Sequence, residues 1–317
     1  MPAWPASWSA SLPRSLHLPK GRAARVEWIT LGLFAACIAL WAVGLTVLPP
    51  VSLPLAALAI GFALVLHASL THEVMHGHPF ASRWLNEALV IVNPGLFVPY
   101  LRFRDTHLAH HRDANLTDPY DDPETNYFDP AVWARLPGWQ RWLCARNNTL
   151  AGRILIGPLI GQIAFMRADW AALRAGDAQV LRGWLLHLPG VVLVVAAVWA
   201  APVPLWLYLV ICYGAVAVLK IRTFLEHQAH AVARGRTVII EDRGPLAFLF
   251  LNNNLHVVHH MHPRVPWYRL PALYRARRAR YLRRNEGYVY RSYAQVFARH
   301  FLRAKDPVPH PLWPPGR

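Results

Sequence analysis

Cysteine is scarce in this chain of 317 residues, which has 3, at Cys37, Cys144 and Cys212. Their scatter excludes a disulfide framework, a zinc ribbon and an iron–sulfur cluster carried by the chain itself. Cys37 and Cys212 fall inside apolar runs and read as small hydrophobes. Charge is short as well. Only 16% of residues are Asp, Glu, Lys or Arg, against about 25% in soluble domains. The deficit falls on the acids: 17 Asp+Glu face 33 Lys+Arg, a formal charge of +16. Such an excess suits nucleic acid or an anionic membrane surface. Apolar residues, at 55% with 14 Trp, decide for the membrane and against nucleic acid, because a nucleic-acid binder has no use for bilayer-length apolar runs. No apolar run precedes Arg22 and Arg25, so no cleaved signal peptide is expected and the first run reads as a true span.

Four stretches reach the roughly 20 residues that cross a bilayer as helix: residues 26–48, 51–71, 183–200 and 203–219. Pro49-Pro50 separates the first two and Ala201-Pro202 the last two, so each pair is expected to form a helical hairpin. Neither corner carries Lys or Arg, whereas every other segment is rich in them. The positive-inside bias then places both termini and the central loop, residues 72–182, in the cytoplasm. Residues 85–101 and 150–166 are apolar but broken by Pro and Gly, and read as helices lying in the interface. Residues 264–284, dense in Arg, Pro and aromatics, read as an anchor at the lipid surface.

The chain's 17 histidines are grouped. His72-Glu-Val-Met-His76 closes the second span. His107-Leu-Ala-His110-His111 lies in the central loop, and His256-Val-Val-His259-His260 follows the last span. His227 and His230 lie between. On a helix, positions i and i+4 share a face, with i+3 beside them. His72 and His76 can therefore bind one centre, and each His-x-x-His-His can reach two. Neutral imidazole suits Fe, Zn, Cu and Ni. Eight or nine imidazoles exceed what one zinc takes, so two metal ions use them most simply. His72-Glu73-Val-Met-His76 also fits the zinc-protease pattern, with Glu73 as general base, but that reading leaves both triads idle. A metal transporter or metal-binding membrane protein would place ionisable groups within its spans; here His67 and His187 are nearly alone there.

This order of histidine groups among two hairpins resembles the membrane fatty acid desaturase superfamily, which also includes alkane hydroxylases and carotenoid ketolases and hydroxylases. The likeness covers roughly residues 58–270. It takes in the acidic stretch Leu116-Thr-Asp-Pro-Tyr-Asp-Asp-Pro-Glu. It also takes in the segment from Asn252 through His256, His259 and His260 to Pro266-Trp267. The resemblance implies two iron ions held by His72, His76, His107, His110, His111, His227, His256, His259 and His260. His227 is carried over on Arg222-Thr-Phe-Leu-Glu226-His227, with His230 the alternative. Asn252 or Asn253 would hold a water on one iron or cap a helix. His78 and His262 match no family position. Glu73, Asp105, Asp118, Asp121, Asp122 and Glu226 are candidates to support the ligands from behind.

The implied fold is an all-α integral membrane protein with four transmembrane helices in two hairpins and a cytoplasmic histidine-rich cap. It divides into a cytoplasmic segment 1–25, a desaturase-like catalytic membrane domain 26–270 and a basic cytoplasmic tail 271–317. The implied activity is fatty acyl desaturation of a long chain with O2 in the inner (cytoplasmic) membrane, the site on the cytoplasmic side. A hydroxylase or ketolase acting on an alkane or a carotenoid is the alternative. The chain has no His-Pro-Gly-Gly cytochrome b5 pattern, so electrons would come from a separate donor, a ferredoxin or a flavoprotein.

Overall fold

The computed structural model describes residues 26–111 and 115–313. The expected cytoplasmic segment 1–25 lies outside the described residues. Two long helices come first, α1 (Trp28–Thr46) and α2 (Leu53–Met75). Shorter ones follow: α3 (Arg83–Val90), α4 (Tyr100–His110), α5 (Pro130–Arg135), α6 (Gly138–Asn147) and α7 (Leu150–Leu155). Then come α8 (Gly157–Arg174), α9 (Ala178–Trp199) and α10 (Leu205–Thr223). A strand β1 (Ile239–Ile240) precedes α11 (Pro245–Leu249) and α12 (His256–Met261). The chain closes with α13 (Leu270–Ala276), α14 (Arg278–Arg284), β2 (Val289–Tyr290) and α15 (Tyr293–His300). β1 and β2 pair in parallel, Ile239 opposite Val289.

Among the described residues four helices, α1, α2, α9 and α10, are long and apolar enough to cross a membrane. Their boundaries follow local chemistry. Ser52 caps α2 by accepting from the Leu55 N–H, with a proline in the first turn, where its missing N–H costs nothing. Asp177 caps α9 through the N–H groups of Gln179 and Val180. That cap starts the helix five residues before the apolar run at 183. α2 likewise runs on past the apolar run's end at Thr71 to Met75, because burial of His72 and Glu73 (2% and 4% exposed) replaces lipid as their surroundings.

α1 runs antiparallel to α2. Cys37 Sγ donates to the Ala63 carbonyl at 3.2 Å, the Phe34 ring packs on His67 at 5.6 Å, and the Glu27 N–H reaches the Pro79 carbonyl at 3.0 Å. α10 joins them through Tyr208, which accepts from Trp41 Nε1 at 3.0 Å and donates to the Pro94 carbonyl at 2.7 Å. His187 of α9 bonds the Leu96 carbonyl at 2.7 Å, so both span histidines have structural tasks. Asp169 ties three helices: Arg102 of α4 grips it at 2.8 Å and Trp184 of α9 donates at 2.9 Å, while Asp169 itself lies on α8.

The main apolar core contains residues of all four spans, among them Phe34, Ile60, Val194 and Tyr208. A satellite core, with Ile239, Val257, Met261, Leu273 and Tyr281, contains none. The histidine groups lie at the C-terminal ends of α2 and α10, where these two cores meet. Residues after 270 pack into this cap: Tyr288 donates to the Leu225 carbonyl at 2.7 Å and Lys305 Nζ to the His227 carbonyl at 2.6 Å. Trp267 does not sit at a lipid surface as the aromatic content of residues 264–284 suggested. It is buried, and its N–H donates to Glu73 Oε2 at 3.0 Å. A side chain buried in the core is not available as a headgroup anchor.

The α1–α2 contact is close at Gly44, where an added Cβ would lie 2.8 Å from Ile60 Cγ1. Overpacking such a contact costs about 1–3 kcal/mol. Gly44→Val should therefore lower the thermal unfolding midpoint in detergent. Gly32→Val, on a part of α1 with nothing within 4 Å, should leave that midpoint in place.

Candidate metal centre

Four segments deliver the imidazoles. The last turn of α2 carries His72, with His76 at its C-cap. α4 carries His107 and His110, with His111 at its C-cap. α12 carries His256, His259 and His260 on six residues. His227 is not helical: the chain leaves α10 at Thr223, and His227 forms an antiparallel bridge with Thr237.

All nine residues named from the sequence come together, in two groups. His72, His76, His107, His111 and His259 present ring nitrogens within 4.8 Å of one another, and so do His110, His227, His256 and His260. Each His-x-x-His-His motif is split between the groups. His107 and His111, at i and i+4, go to the first, and His110 turns to the second. His256 and His260 go to the second, and His259 to the first. His230 joins neither; its Nδ1 lies 3.3 Å from the Val232 N–H. His230, three residues after His227, would share its side only on a helix, and here the chain is not helical: His227 pairs with Thr237 in a β-bridge. His78 pairs with Glu27 at 2.8 Å.

Within each group Nε2 atoms face one another. His107 Nε2 lies 3.3 Å from that of His76 and 2.9 Å from that of His111, which is 3.2 Å from His259 Nε2. His227 Nε2 lies 2.8 Å from His110 Nε2 and 3.2 Å from His256 Nε2. Behind them, His107 Nδ1 faces Glu124 Oε1 at 3.0 Å and His110 Nδ1 faces Asp122 Oδ1 at 2.8 Å. His256 Nδ1 faces Asn253 Oδ1 at 3.1 Å. An acceptor on Nδ1 keeps the proton there and leaves Nε2 as a lone pair. The arrangement thus aims several lone pairs at one another. His72 Nε2 is buried with no hydrogen-bond partner, a deficit of about 1–3 kcal/mol if nothing takes it. A cation at the centre of each group resolves both problems, so these donors fit metal ions.

The electrostatics agree. Burial, then the neighbouring imidazoles, hold His76, His256 and His259 well below the usual histidine range. Burial does the same for His227, with His110, His260 and Lys305 adding to it. These rings are neutral, the form that binds metal. His110 is the exception: burial opposes its charge, but Glu124, Asp122 and Glu226 outweigh it and lift the pKa to about 9. Glu124 is pulled well below the carboxylate range, against its burial, by His110 and His107. Carboxylates behind one ring therefore call for positive charge at the site.

Of the supporting carboxylates named from the sequence, Asp122 holds His110 directly. Glu226 accepts from Asn253 Nδ2 at 3.2 Å and pairs with Arg222 at 3.2 Å. Glu73 accepts the Trp267 backbone N–H on Oε2, and its Oε1 lies 3.7 Å from His72 Nδ1. Asp105 pairs with Arg104 at 2.7 Å, Asp118 takes the N–H groups of Tyr120 and Asp121, and Asp121 is exposed. Glu124 was missed, although it closes the same acidic stretch. Asn253, between Glu226 and His256, orients that ring.

Apolar helices of spanning length ending on a paired histidine cage define the class: a membrane protein with two adjoining groups of imidazoles. The chain belongs to the fatty acid desaturase family, whose pattern matches residues 48–293. It is similar to the beta-carotene ketolase of Paracoccus sp. (strain N81106 / MBIC 01143), 26% identical over 256 residues, which is 76% of this chain and 88% of that protein. It is similar also to the beta-carotene ketolase of Paracoccus sp. (strain PC1), 25% identical over 261 residues, 77% of this chain and 91% of that one. Family and relatives together make it an oxygen-dependent oxidoreductase.

Removing the acceptor behind a metal-binding histidine typically costs about 10–100-fold in affinity. Asp122→Asn should therefore weaken metal retention by that order, read by metal analysis after dialysis against a graded chelator. Asp121→Asn should match the unaltered protein.

Proposed function

We propose that the two histidine groups hold two irons and that the chain oxidises a methylene of a long, lipid-soluble hydrocarbon, as a ketolase acting on a carotenoid. The observation that carries the reaction class is the sorting of nine imidazoles into two facing groups. The substrate rests on the two beta-carotene ketolases, matched over 88% and 91% of their own lengths. A histidine-held iron pair supplies reductive activation of dioxygen and removal of hydrogen from an unactivated C–H bond. The chain's own residues do the rest. Glu124, Asp122 and Asn253 fix the proton on Nδ1 of His107, His110 and His256, so that each Nε2 is available. Burial of the groups excludes bulk water and keeps His76, His227, His256 and His259 neutral. Each oxygenation takes up O2, two protons and two electrons, places one oxygen atom on carbon and releases the other as water. Two such rounds at one carbon, followed by loss of water, leave a ketone.

We further read the four spans as two hairpins in the inner membrane, with the histidine cap, both termini and the site on the cytoplasmic side. This rests on the charge-free corners and on the meeting of the α1 start, the α2 end and the α10 end at the site. Residues 26–270 would then be the catalytic membrane domain. The substrate would enter from lipid, and a separate ferredoxin or flavoprotein would supply electrons.

Acyl desaturation is the second reading, favoured by the family description itself. It differs in removing a second hydrogen instead of adding oxygen. Expression in cells that make β-carotene, with a ferredoxin donor and a His260→Ala control, separates the two. A ketocarotenoid absent from the control is the expected product. A new unsaturated acyl chain with unchanged carotenoids would transfer the assignment to the desaturase. The purified protein should carry about two irons and little zinc; one zinc without iron would overturn both readings.

A further inference from the structure

Eight of the nine imidazoles sit on a helix or at a helix C-cap, and His227 sits on neither. Its place must come from contacts with other segments, and residues from 305 onward make several of them. Lys305 Nζ donates to the His227 carbonyl at 2.6 Å. The Lys305 side chain is 8% exposed, and Asp306 answers its charge at 3.9 Å. Two residues past His227, the Ala229 N–H donates to the Tyr127 hydroxyl at 2.8 Å, and that hydroxyl donates to Asp306. Lys305 is itself fixed. Its N–H donates to the Asn148 carbonyl at 3.2 Å, and Asn148 Nδ2 donates to the Asp306 carbonyl at 2.5 Å.

The same segment reaches a neighbouring ring by a second arm. The Phe128 N–H donates to the Val308 carbonyl at 3.0 Å, and the His310 N–H to the Phe128 carbonyl at 2.8 Å. His310 Nδ1 accepts the Leu312 N–H at 3.2 Å. That leaves the ring proton on Nε2, 3.3 Å from Thr117 Oγ1. The Thr117 N–H donates in turn to Asp122 Oδ2 at 2.9 Å, and Asp122 Oδ1 faces His110 Nδ1. Thr117 has φ 70°, a left-handed backbone that a β-branched residue keeps only where contacts impose it. The two arms end on His227 and His110, whose Nε2 atoms lie 2.8 Å apart in the four-histidine group.

We propose that residues 305–310 form a strap that positions the four-histidine group, with Lys305 and His310 as its positioning residues. Metal retention in that group, and not in the five-histidine group, then depends on a segment past residues 48–293, the stretch that the family pattern matches. The inference rests on the reading of both groups as metal sites. Lys305 pins the peptide of a ligand that no helix holds. His310 keeps Thr117 turned so that its N–H occupies one oxygen of Asp122 and the other faces the ring. Partners behind a ligand set the direction of its lone pair, and their loss weakens the metal site.

The test uses the full chain in lipid nanodiscs, loaded with cobalt(II), whose visible absorption reports imidazole ligation. Cobalt removal by a graded chelator should run in two steps in the unaltered protein, one per group. Lys305→Met should move one step to about tenfold lower chelator and leave the other in place. His310→Ala should move the same step. Asn253→Ala, which removes the acceptor behind His256, identifies that step as the four-histidine group. Lys305→Arg keeps a donor and should recover the unaltered behaviour. Arg303→Met, at an exposed position of the same segment, should change neither step.

Equal movement of both steps overturns the proposal and makes the segment a general stabiliser. So does an unchanged curve in both Lys305→Met and His310→Ala, or a Lys305→Arg protein as impaired as Lys305→Met. Amide hydrogen exchange of the metal-free chain reads the strap without metal. Residues 227–237 should exchange faster in Lys305→Met, while residues 256–261 keep the unaltered rate; uniform acceleration, or none, overturns the proposal. If the unaltered protein holds fewer than two cobalt ions, the metal reading fails, and hydrogen exchange still decides whether the strap positions His227.

Discussion

The convergence of nine imidazoles at the C-terminal ends of α2 and α10 is the constraint on which the rest of this structure depends. Ring nitrogens packed 2.8–3.3 Å apart at a site shielded from water are tolerable only if their protons are assigned and their lone pairs used. Asp122, Glu124 and Asn253 make the first assignment from behind. The centre of each group must supply the second. This explains why so basic a chain places Asp122 and Glu226, 4% and 5% exposed, at its interior: they balance charge that the site is built to hold.

That constraint also accounts for the meeting of two cores. The span core extends into the cap near the end of α2, where Ser69 bonds the Leu249 carbonyl of α11 at 2.8 Å. The satellite core fixes α12 against β1. Neither alone places both His72 and His259 in one group. Glu73, bonded to the Trp267 backbone, ties the end of α2 to the segment after α12, and Lys305 ties the C-terminal segment to the His227 carbonyl. A site at this boundary lies between the ends of the apolar helices and the cap that α12 and the C-terminal segments build.

The four spans were legible because bilayer-length apolar runs have no other common use, and the corners because proline stops helices. Their ends were less so. α9 begins at Asp177 through a cap, and α2 continues through His72 and Glu73, because hydrogen bonding and burial, not hydropathy, set those limits. The family was legible from the spacing and order of the histidine groups. Trp267 was misread as an anchor because composition cannot tell an aromatic residue at a headgroup from one packed under a span.

The histidine groups themselves were legible in the sequence alone: imidazoles at i, i+3 and i+4 after long apolar helices, with an acidic stretch nearby. Helical spacing dictates which rings share a face of their own segment. It says nothing of which face another segment presents, so the division into groups of five and four awaited the packing. So did the choice of His227 over His230, which turned on a β-bridge where helix was assumed, and the role of Glu124, which the fold brings beneath His107 from 17 residues away. These are contacts between distant segments, and only the tertiary structure could decide them.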